Sequence, residues 1–144
     1  MDLRKTEEEK MAPWLAAITD SLEVLHKNDE NPSSSLGYIM EKANIQFKSV
    51  NFMRGRSIQN AVVLLDECQN LTASQLKTII TRCGEGTKLI CSGNLAQIDS
   101  NYLTAVTSGL TYIVERFKSF EGSATVNLKG VVRSRLAQFA EENL

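Results

Sequence analysis

A run of four aliphatic residues at positions 62–65 constrains the fold of this chain more than any other sequence feature. A short apolar run between polar residues is typical of a strand that is buried on both faces of a parallel sheet. Residues 89–91 form a second run of this kind. The partly alternating pattern of residues 45–52 and the alternation over residues 124–128 predict two further strands.

Amphipathic helices are predicted between and around these strands. Thr72 and Gln75 form a capping-box pattern, which predicts a helix start. Ser108 and Ser134 precede two more helical patterns, the second of which places an apolar set on its inner face: Leu136, Phe139 and Ala140. Strands that alternate with helices predict an α/β fold with a mostly parallel sheet flanked by helices.

Length and charge narrow the function classes. The 144 residues suit one domain, in which residues 1–44 are a helical lead-in and loop and residues 45–144 the strand–helix core. A net charge of -1 excludes a bulk basic field, so any polyanion must bind a local patch. The charged start and the lack of an apolar run of about 18 residues predict no signal peptide, no membrane span and a cytoplasmic protein.

Cysteine and histidine usage argues against zinc chemistry. The spacings of Cys68, Cys83 and Cys91 fit no zinc motif, and His26 is the only histidine. We therefore expect three buried or half-buried thiols in a reducing compartment.

Two carboxylates follow the first aliphatic run. A strand over residues 62–65 would deliver Asp66 and Glu67 side by side to the edge of the sheet. In nucleoside triphosphatases, one such carboxylate holds hydrated Mg²⁺ and the next orients or deprotonates the attacking water. A solvated acidic turn is the alternative.

The second short run ends in Ser-Gly-Asn, with Asn94 as its last residue, and Gln97 lies on the following turn. Amide groups there could reach a terminal phosphate or a water molecule. A polar turn capped by Asn94 is the alternative interpretation.

Two basic sets are candidates for anion contacts. Lys48, Arg54 and Arg56 lie in a stretch without acids, which suits phosphate or RNA backbone, although a solvated loop has the same composition. Arg133 and Arg135 stand at a helix start, where an arginine can act on a phosphoryl group in cis or across an interface.

These segments occur in a fixed order: Met-Arg-Gly-Arg-Ser at 53–57, Leu-Asp-Glu-Cys-Gln-Asn at 65–70, Gly-Asn-Leu-Ala-Gln-Ile-Asp at 93–99, Ser-Gly-Leu-Thr-Tyr at 108–112 and Arg-Ser-Arg-Leu at 133–136. As a set they resemble the C-terminal portion of the PhoH-like P-loop ATPases over nearly the whole chain. Residues 93–97 are most similar to the branch in which a PIN ribonuclease domain precedes the ATPase. Cys68 stands where this family usually has alanine.

The resemblance implies a partial RecA-like core that lacks its first, phosphate-loop strand, and it implies ATP, Mg²⁺ and RNA as ligands. Catalytic roles would fall on the Walker B pair Asp66 and Glu67, on the sensor Gln97 and on Arg133 as arginine finger. Cofactor contacts would fall on Gln69, Asn94 and Arg135, and Mg²⁺ would be held by Asp66 through water.

The sequence has no Gly-x-x-x-x-Gly-Lys-Ser/Thr phosphate loop. We therefore expect a truncated gene product or half of a split enzyme, inactive alone, that associates with itself or with the missing N-terminal part. A non-catalytic RNA-binding or assembly module and a metal nuclease using Asp66, Glu67 and Asp99 are the alternatives. Residues 124–128 and 89–91 are expected to border the place of the missing first strand. We expect a gap there, a shifted pairing that closes it or an intermolecular contact that fills it, and we favour the intermolecular contact.

Overall fold

The computed structural model describes residues 7–26, 40–41, 44–50, 55–99, 101–130 and 132–144. Within them lie four α-helices and two strands: α1 (Glu7–His26), β1 (Val62–Leu65), α2 (Ala73–Ile80), β2 (Lys88–Cys91), α3 (Gly109–Arg116) and α4 (Arg135–Asn143). Short 3₁₀ turns span Cys68–Asn70 and Phe117–Ser119. None of the helices in these ranges combines the length and apolar character needed to cross a bilayer.

The sheet is parallel, as the sequence predicts. β1 pairs with β2 in a register that runs from Val62 opposite Lys88 to Leu65 opposite Cys91. The chain continues this pairing before β1, where Ile58 forms a parallel bridge with Cys83. A small parallel sheet flanked by helices confirms the predicted α/β class and is consistent with part of a P-loop nucleotide-hydrolase core.

One face of this sheet carries the core. The Thr72 capping box is present: its Oγ1 accepts from the Gln75 N–H at 3.1 Å, and the Gln75 side chain accepts from the Thr72 N–H at 2.9 Å. From this start, α2 buries one apolar face. The buried core residues are Leu65, Cys68, Leu76 and Ile79, and Leu89, Leu110 and Ile113 pack against them.

The opposite face of the sheet is uncovered. Val62 is 70% exposed, Leu64 is 65% exposed, and Ile90 beside them on β2 is also exposed. The prediction that residues 62–65 are buried on both faces is therefore wrong. The physical reason is that, among the described residues, helices pack on one side of the sheet only.

The two outer strands predicted from alternation do not form in the described residues. Residues 45–49 do alternate between half-buried and exposed positions, but they belong to no strand ladder. Residues 124–128 are irregular and exposed throughout. Alternation makes a strand only when a neighbouring edge supplies hydrogen-bond partners. Because residues 124–128 form no strand, they do not border a gap in the sheet. An intermolecular contact at the free edge of β2 stays a prediction.

The last helix is correctly placed but uncovered. Ser134 caps α4, and its Oγ accepts from the Ala137 N–H at 3.2 Å. The predicted inner face of α4 is exposed, with Leu136 80% and Phe139 66% exposed. Within the described part of the chain no element packs on that face, which explains why the prediction of burial fails.

Candidate functional site

The carboxyl ends of β1 and β2 form one edge of the sheet. The two loops that leave it are joined by backbone hydrogen bonds: the Ser92 N–H donates to the Leu65 carbonyl and the Cys68 N–H donates to the Ser92 carbonyl, each at 2.9 Å. An open concavity of about 830 Å³ lies against these loops, lined by Glu67, Asn70, Ala96, Gln97, Ile98 and Asp99. The structure thus brings together Glu67, Gln97 and Asp99.

Glu67 has a strained backbone. It adopts φ 54° and ψ 36°, in the left-handed region, immediately before the 3₁₀ turn Cys68–Asn70. This conformation costs an ordinary L-residue roughly 1–2 kcal/mol. The neighbouring bonds from Cys68 to Ser92 and from the Asn70 N–H to the Glu67 carbonyl (3.1 Å) hold it in place. Strain of this kind is concentrated at functional sites, and here it aims an exposed carboxylate into the concavity.

Gln69 is the buried link between the two loops. Its side chain is 1% exposed. The amide Nε2 donates to the Glu67 carboxylate and, at 3.1 Å, to the Gln97 carbonyl, while Oε1 accepts from the Asn94 N–H at 3.1 Å. All of its polar groups are therefore used by the protein. The geometry gives Gln69 the role of a positioning residue beneath the concavity.

Close packing surrounds this amide. A Cβ on Gly93 would lie 2.8 Å from Gln69 Oε1, so the loop can reach the amide only because residue 93 lacks a side chain. On the other side, the buried Ser108 hydroxyl donates to the Gln69 carbonyl at 2.9 Å. The same hydroxyl accepts from the Leu110 N–H at 3.3 Å, which caps α3 as the sequence predicts.

Asn94 and Asn70 shape the turn that follows β2. Asn94 Oδ1 accepts from the Ala96 N–H at 3.0 Å, so this side chain caps its own turn. Asn70 Oδ1 accepts from the Asp99 N–H at 2.9 Å and joins the turn to the first loop. The Gln97 side chain is exposed at the rim. Asp66 is exposed at the end of β1 and is not among the lining residues.

None of the predicted cations that the structure describes is among the residues that line the concavity. Arg133 forms an ion pair with Glu141 of α4, with Nη1 and Oε2 2.7 Å apart, and Arg135 is exposed. Lys48 and Arg56 are exposed as well, and Arg54 lies outside the described residues. The residues that line the concavity include neither lysine nor arginine.

Two neighbouring carboxylates at this edge offer the oxygen ligands that would fit Mg²⁺. Asp66 and Glu67 are adjacent carboxylates with exposed side chains, and such oxygens are the ligands that Mg²⁺ prefers. In the described ranges no group of three His, Cys, Asp or Glu side chains is placed to hold a metal. A magnesium ion held through water by one carboxylate needs fewer protein ligands.

The three cysteines are free, with Cys68 buried and Cys83 and Cys91 half-buried, as expected from the sequence. The sequence did not predict that Cys68 and Cys91 lie next to each other. A hydrogen bond with Cys91, together with burial, raises the pKa of the Cys68 thiol, and the same bond lowers the pKa of Cys91. Burial raises the pKa of Cys83. The available signal was the alternation of β2, which puts Leu89 and Cys91 on the core face.

Replacing Gln69 with alanine is expected to lower the free energy of unfolding by about 2–3 kcal/mol, because the Asn94 N–H and the Gln97 carbonyl lose their partner. Urea unfolding followed by circular dichroism measures the change. Gln97→Ala is the matched control: it removes an exposed side chain but leaves the carbonyl, and should change stability by under about 0.5 kcal/mol. Equal losses in the two variants would contradict the linking role of Gln69.

Comparisons with known proteins identify the family to which this chain belongs. The family model for PhoH-like proteins matches residues 2–143. Protein PhoH2 of Bacillus subtilis (strain 168) is 42% identical over 137 residues, which cover 95% of this chain and 31% of that protein. Protein PhoH of Escherichia coli (strain K12) is 36% identical over 134 residues, 90% of this chain and 36% of its own length. A PhoH-like protein of Synechocystis is 36% identical, covering 91% and 38%. The chain spans about a third of the length of these relatives, and it belongs to the PhoH-like protein family.

Proposed function

We propose that this chain supplies the catalytic-carboxylate half of an ATP-binding and ATP-hydrolysing site. The observation that carries the proposal is Glu67, held in a strained left-handed conformation at the edge of a parallel sheet, with its carboxylate bound by the buried Gln69 amide. A protein fixes a carboxylate in this way when its direction matters more than local stability. Ligands of open α/β sheets bind at this edge.

Each residue at the edge has a role in this proposal. Asp66 would hold Mg²⁺ through water, and the metal would neutralise charge on the phosphates. Glu67 would orient the attacking water and accept its proton. Gln97 would contact the terminal phosphate from the rim, and Asn94 would fix the turn that carries Gln97. Gln69 holds Glu67 and the 94–97 turn in register.

The phosphate-binding groups must come from outside these residues. The sequence has no Gly-Lys-Ser/Thr triplet, and the described residues that line the concavity include neither lysine nor arginine. The proposed partner is the remaining part of a PhoH-like protein, on the same chain or another copy. The exposed aliphatic face of Val62, Leu64 and Ile90 supports such an association, because covering it removes apolar surface from water.

An RNA-linked, helicase-like role for the complete protein is part of the proposal. It is supported by the exposed Lys48 and Arg56, with Arg54 as a third member. The competing function is a non-catalytic RNA-binding or assembly module. Binding of single-stranded RNA by this chain without nucleotide, with an affinity that falls steeply as salt rises, would favour the module. Loss of binding in Arg56→Ala but not in Arg82→Ala would assign it to this patch.

A chimaera tests the ATPase proposal. In it, residues 2–143 replace the matching segment of the Bacillus subtilis PhoH2, which restores the rest of a family member around them. We expect ATP turnover in the chimaera with Mg²⁺, loss of turnover in Glu67→Gln, and turnover no faster than buffer for the 144-residue chain alone. Gln138→Glu, an exposed change on α4 that is not among the residues lining the concavity, is the control.

Two results would overturn the proposal. The first is an unchanged rate in the Glu67→Gln chimaera, which would remove Glu67 from the chemistry. The second is turnover by the isolated chain near 1 per second, a typical low enzyme rate, that Glu67→Gln abolishes. That outcome would show that the phosphate contacts lie within these residues after all.

A further inference from the structure

Two cysteines meet directly beneath the Asp66–Glu67 loop. Cys68 lies in the 3₁₀ turn that follows β1 and is completely buried, and Cys91 is the last residue of β2 and packs against the same core cluster. Cys91 is paired with Leu65 in the parallel register. The Cys68 N–H donates to the carbonyl of Ser92, the residue after Cys91, at 2.9 Å. Both cysteines therefore lie in the same part of the core, on backbone segments that are hydrogen-bonded to each other.

Neither thiol has another role in the site described above. The Cys68 S–H donates to the Leu65 carbonyl at 3.0 Å, and Leu65 is the register partner of Cys91. A buried aliphatic or alanine side chain would fill the core without reactive chemistry. Two cysteines on neighbouring backbone segments that are hydrogen-bonded to each other can instead close into a disulfide with little backbone movement.

We propose that Cys68 and Cys91 form a reversible disulfide when the protein meets an oxidised low-molecular-weight thiol, and that this bond is a modification site at the base of the carboxylate loop. The oxidant class is a small disulfide such as glutathione disulfide. The pairing goes beyond the proposed ATPase role, and its formation does not depend on nucleotide binding.

Burial sets the order of the two steps. The half-buried Cys91 is reached first: its thiolate attacks glutathione disulfide, a bond forms between the Cys91 sulfur and one glutathione, and the other glutathione leaves as thiolate. The Cys68 thiol then gives up its proton to that thiolate and attacks the Cys91 sulfur, displacing the second glutathione. Two cysteine thiols are oxidised by two electrons, and one glutathione disulfide becomes two molecules of glutathione.

Cys83 is the competing thiol, and its position disfavours it. It lies beyond the end of α2, where its sulfur is within 3.6 Å of the Ile79 carbonyl and its backbone forms the bridge with Ile58. Among the described residues, Cys91 packs against the core cluster that contains Cys68, whereas Cys83 is not one of the residues that do so.

The bond would act on the carboxylate loop because Cys68 stands between Glu67 and Gln69. Drawing its sulfur onto Cys91 tethers the 3₁₀ turn to β2. The Gln69 side chain shares that turn and holds both Glu67 and the 94–97 loop. Oxidation would therefore constrain Gln69, which orients Glu67 and is separated from the disulfide by only a few covalent bonds.

The sequence makes the test unambiguous. Trypsin separates the three cysteines into peptides 57–77, 83–88 and 89–116. The reduced 144-residue chain is incubated with glutathione disulfide in its folded state. Free thiols are then blocked with N-ethylmaleimide in urea, which exposes the buried Cys68, and the digest is analysed by mass spectrometry. We expect peptide 57–77 linked to peptide 89–116 with the loss of two hydrogens, peptide 83–88 carrying the blocking group, and reversal by dithiothreitol.

Two variants separate the steps. Cys83→Ser should form the same link in full yield. Cys68→Ala, which introduces the small residue usual in the family, should stop at a glutathione adduct on peptide 89–116. A link through peptide 83–88 would overturn the proposal. The proposal would also be overturned if all three cysteines of the folded chain carried the blocking group after incubation with glutathione disulfide, under conditions in which the urea-unfolded chain forms disulfides.

Discussion

Replacing Arg133 with alanine in the Bacillus subtilis chimaera is expected to lower ATP turnover on the order of 10³-fold, the loss that follows removal of an arginine finger. The concavity beside Glu67 has no cation of its own among its lining residues. Charge that develops on the transferred phosphoryl group must therefore be met by a residue that arrives from elsewhere. Arg133, half-exposed beside α4, is the candidate. Steady-state turnover with saturating Mg²⁺ and ATP measures the effect.

The ion pair of Arg133 provides the matched control. Glu141→Gln removes the carboxylate that lies 2.7 Å from the guanidinium but leaves the arginine. Because both side chains are partly exposed, losing the pair should cost under about 1 kcal/mol of stability. ATP turnover should be unchanged or higher, because the Arg133 guanidinium no longer has to break its ion pair with residue 141 before it contacts the phosphoryl group. Equal, small losses below about fivefold in both variants would make Arg133 a structural residue.

A mixing experiment shows whether the arginine acts within its own subunit. Arg133→Ala and Asp66→Asn chimaeras are each inactive in this account, and each carries an intact copy of what the other lacks. Restored turnover in the mixture means that Arg133 reaches a neighbouring site. No restoration, with both variants correctly folded by circular dichroism, means that it acts in cis.

Replacing Gly109 with alanine is expected to destabilise the fold by about 3 kcal/mol, at the upper end of overpacking effects. A Cβ at this position would lie 2.5 Å from the Thr72 carbonyl carbon and 2.6 Å from the Leu71 carbonyl oxygen. These are backbone atoms of the turn that starts α2, so they cannot rotate away. The start of α3 must shift, which weakens the Gly109 N–H bond to the Leu71 carbonyl (2.8 Å). Urea denaturation measures the loss.

Gly122→Ala is the control for this substitution. Its Cβ would meet only the Phe120 ring, at 2.8 Å, and that exposed ring can turn aside. We expect a change below about 1 kcal/mol at position 122. If Gly109→Ala lowered stability as little as Gly122→Ala, α3 would pack less tightly against the start of α2 than the backbone contacts indicate.

The sequence predicted those parts of the fold that depend on neighbours along the chain. The aliphatic runs became β1 and β2, and Thr72, Ser108 and Ser134 cap the helices that they precede. The rule that parallel strands end at one edge also placed Glu67 and Gln97 together. Each of these inferences uses either the spacing of nearby residues or the rule that parallel strands end at the same edge. Each needs only a few neighbouring residues of the sequence.

The parts that failed depend on distant partners. Residues 124–128 alternate as a strand should, but a strand exists only beside another edge, and pattern alone does not reveal whether one is present. The family resemblance implied a cofactor contact for Gln69, and that role stays a prediction. The burial of Gln69 comes from bonds to residues 25 and 28 positions away, which no local pattern records. The meeting of Cys68 and Cys91 escaped notice for the same reason.

The Gln69 amide has an evolutionary consequence. It fits only because residue 93 has no side chain, and the carbonyl of Gln69 is in turn held by the hydroxyl that starts α3 beside Gly109. A larger residue at position 93 can therefore be accepted only if the residue at position 69 becomes smaller in the same lineage. A shift of α3 would likewise require compensating substitutions at positions 69 and 93. Positions 69, 93 and 109 should be inherited as a set, so that grafting one of them alone between relatives fails where exchanging all three succeeds.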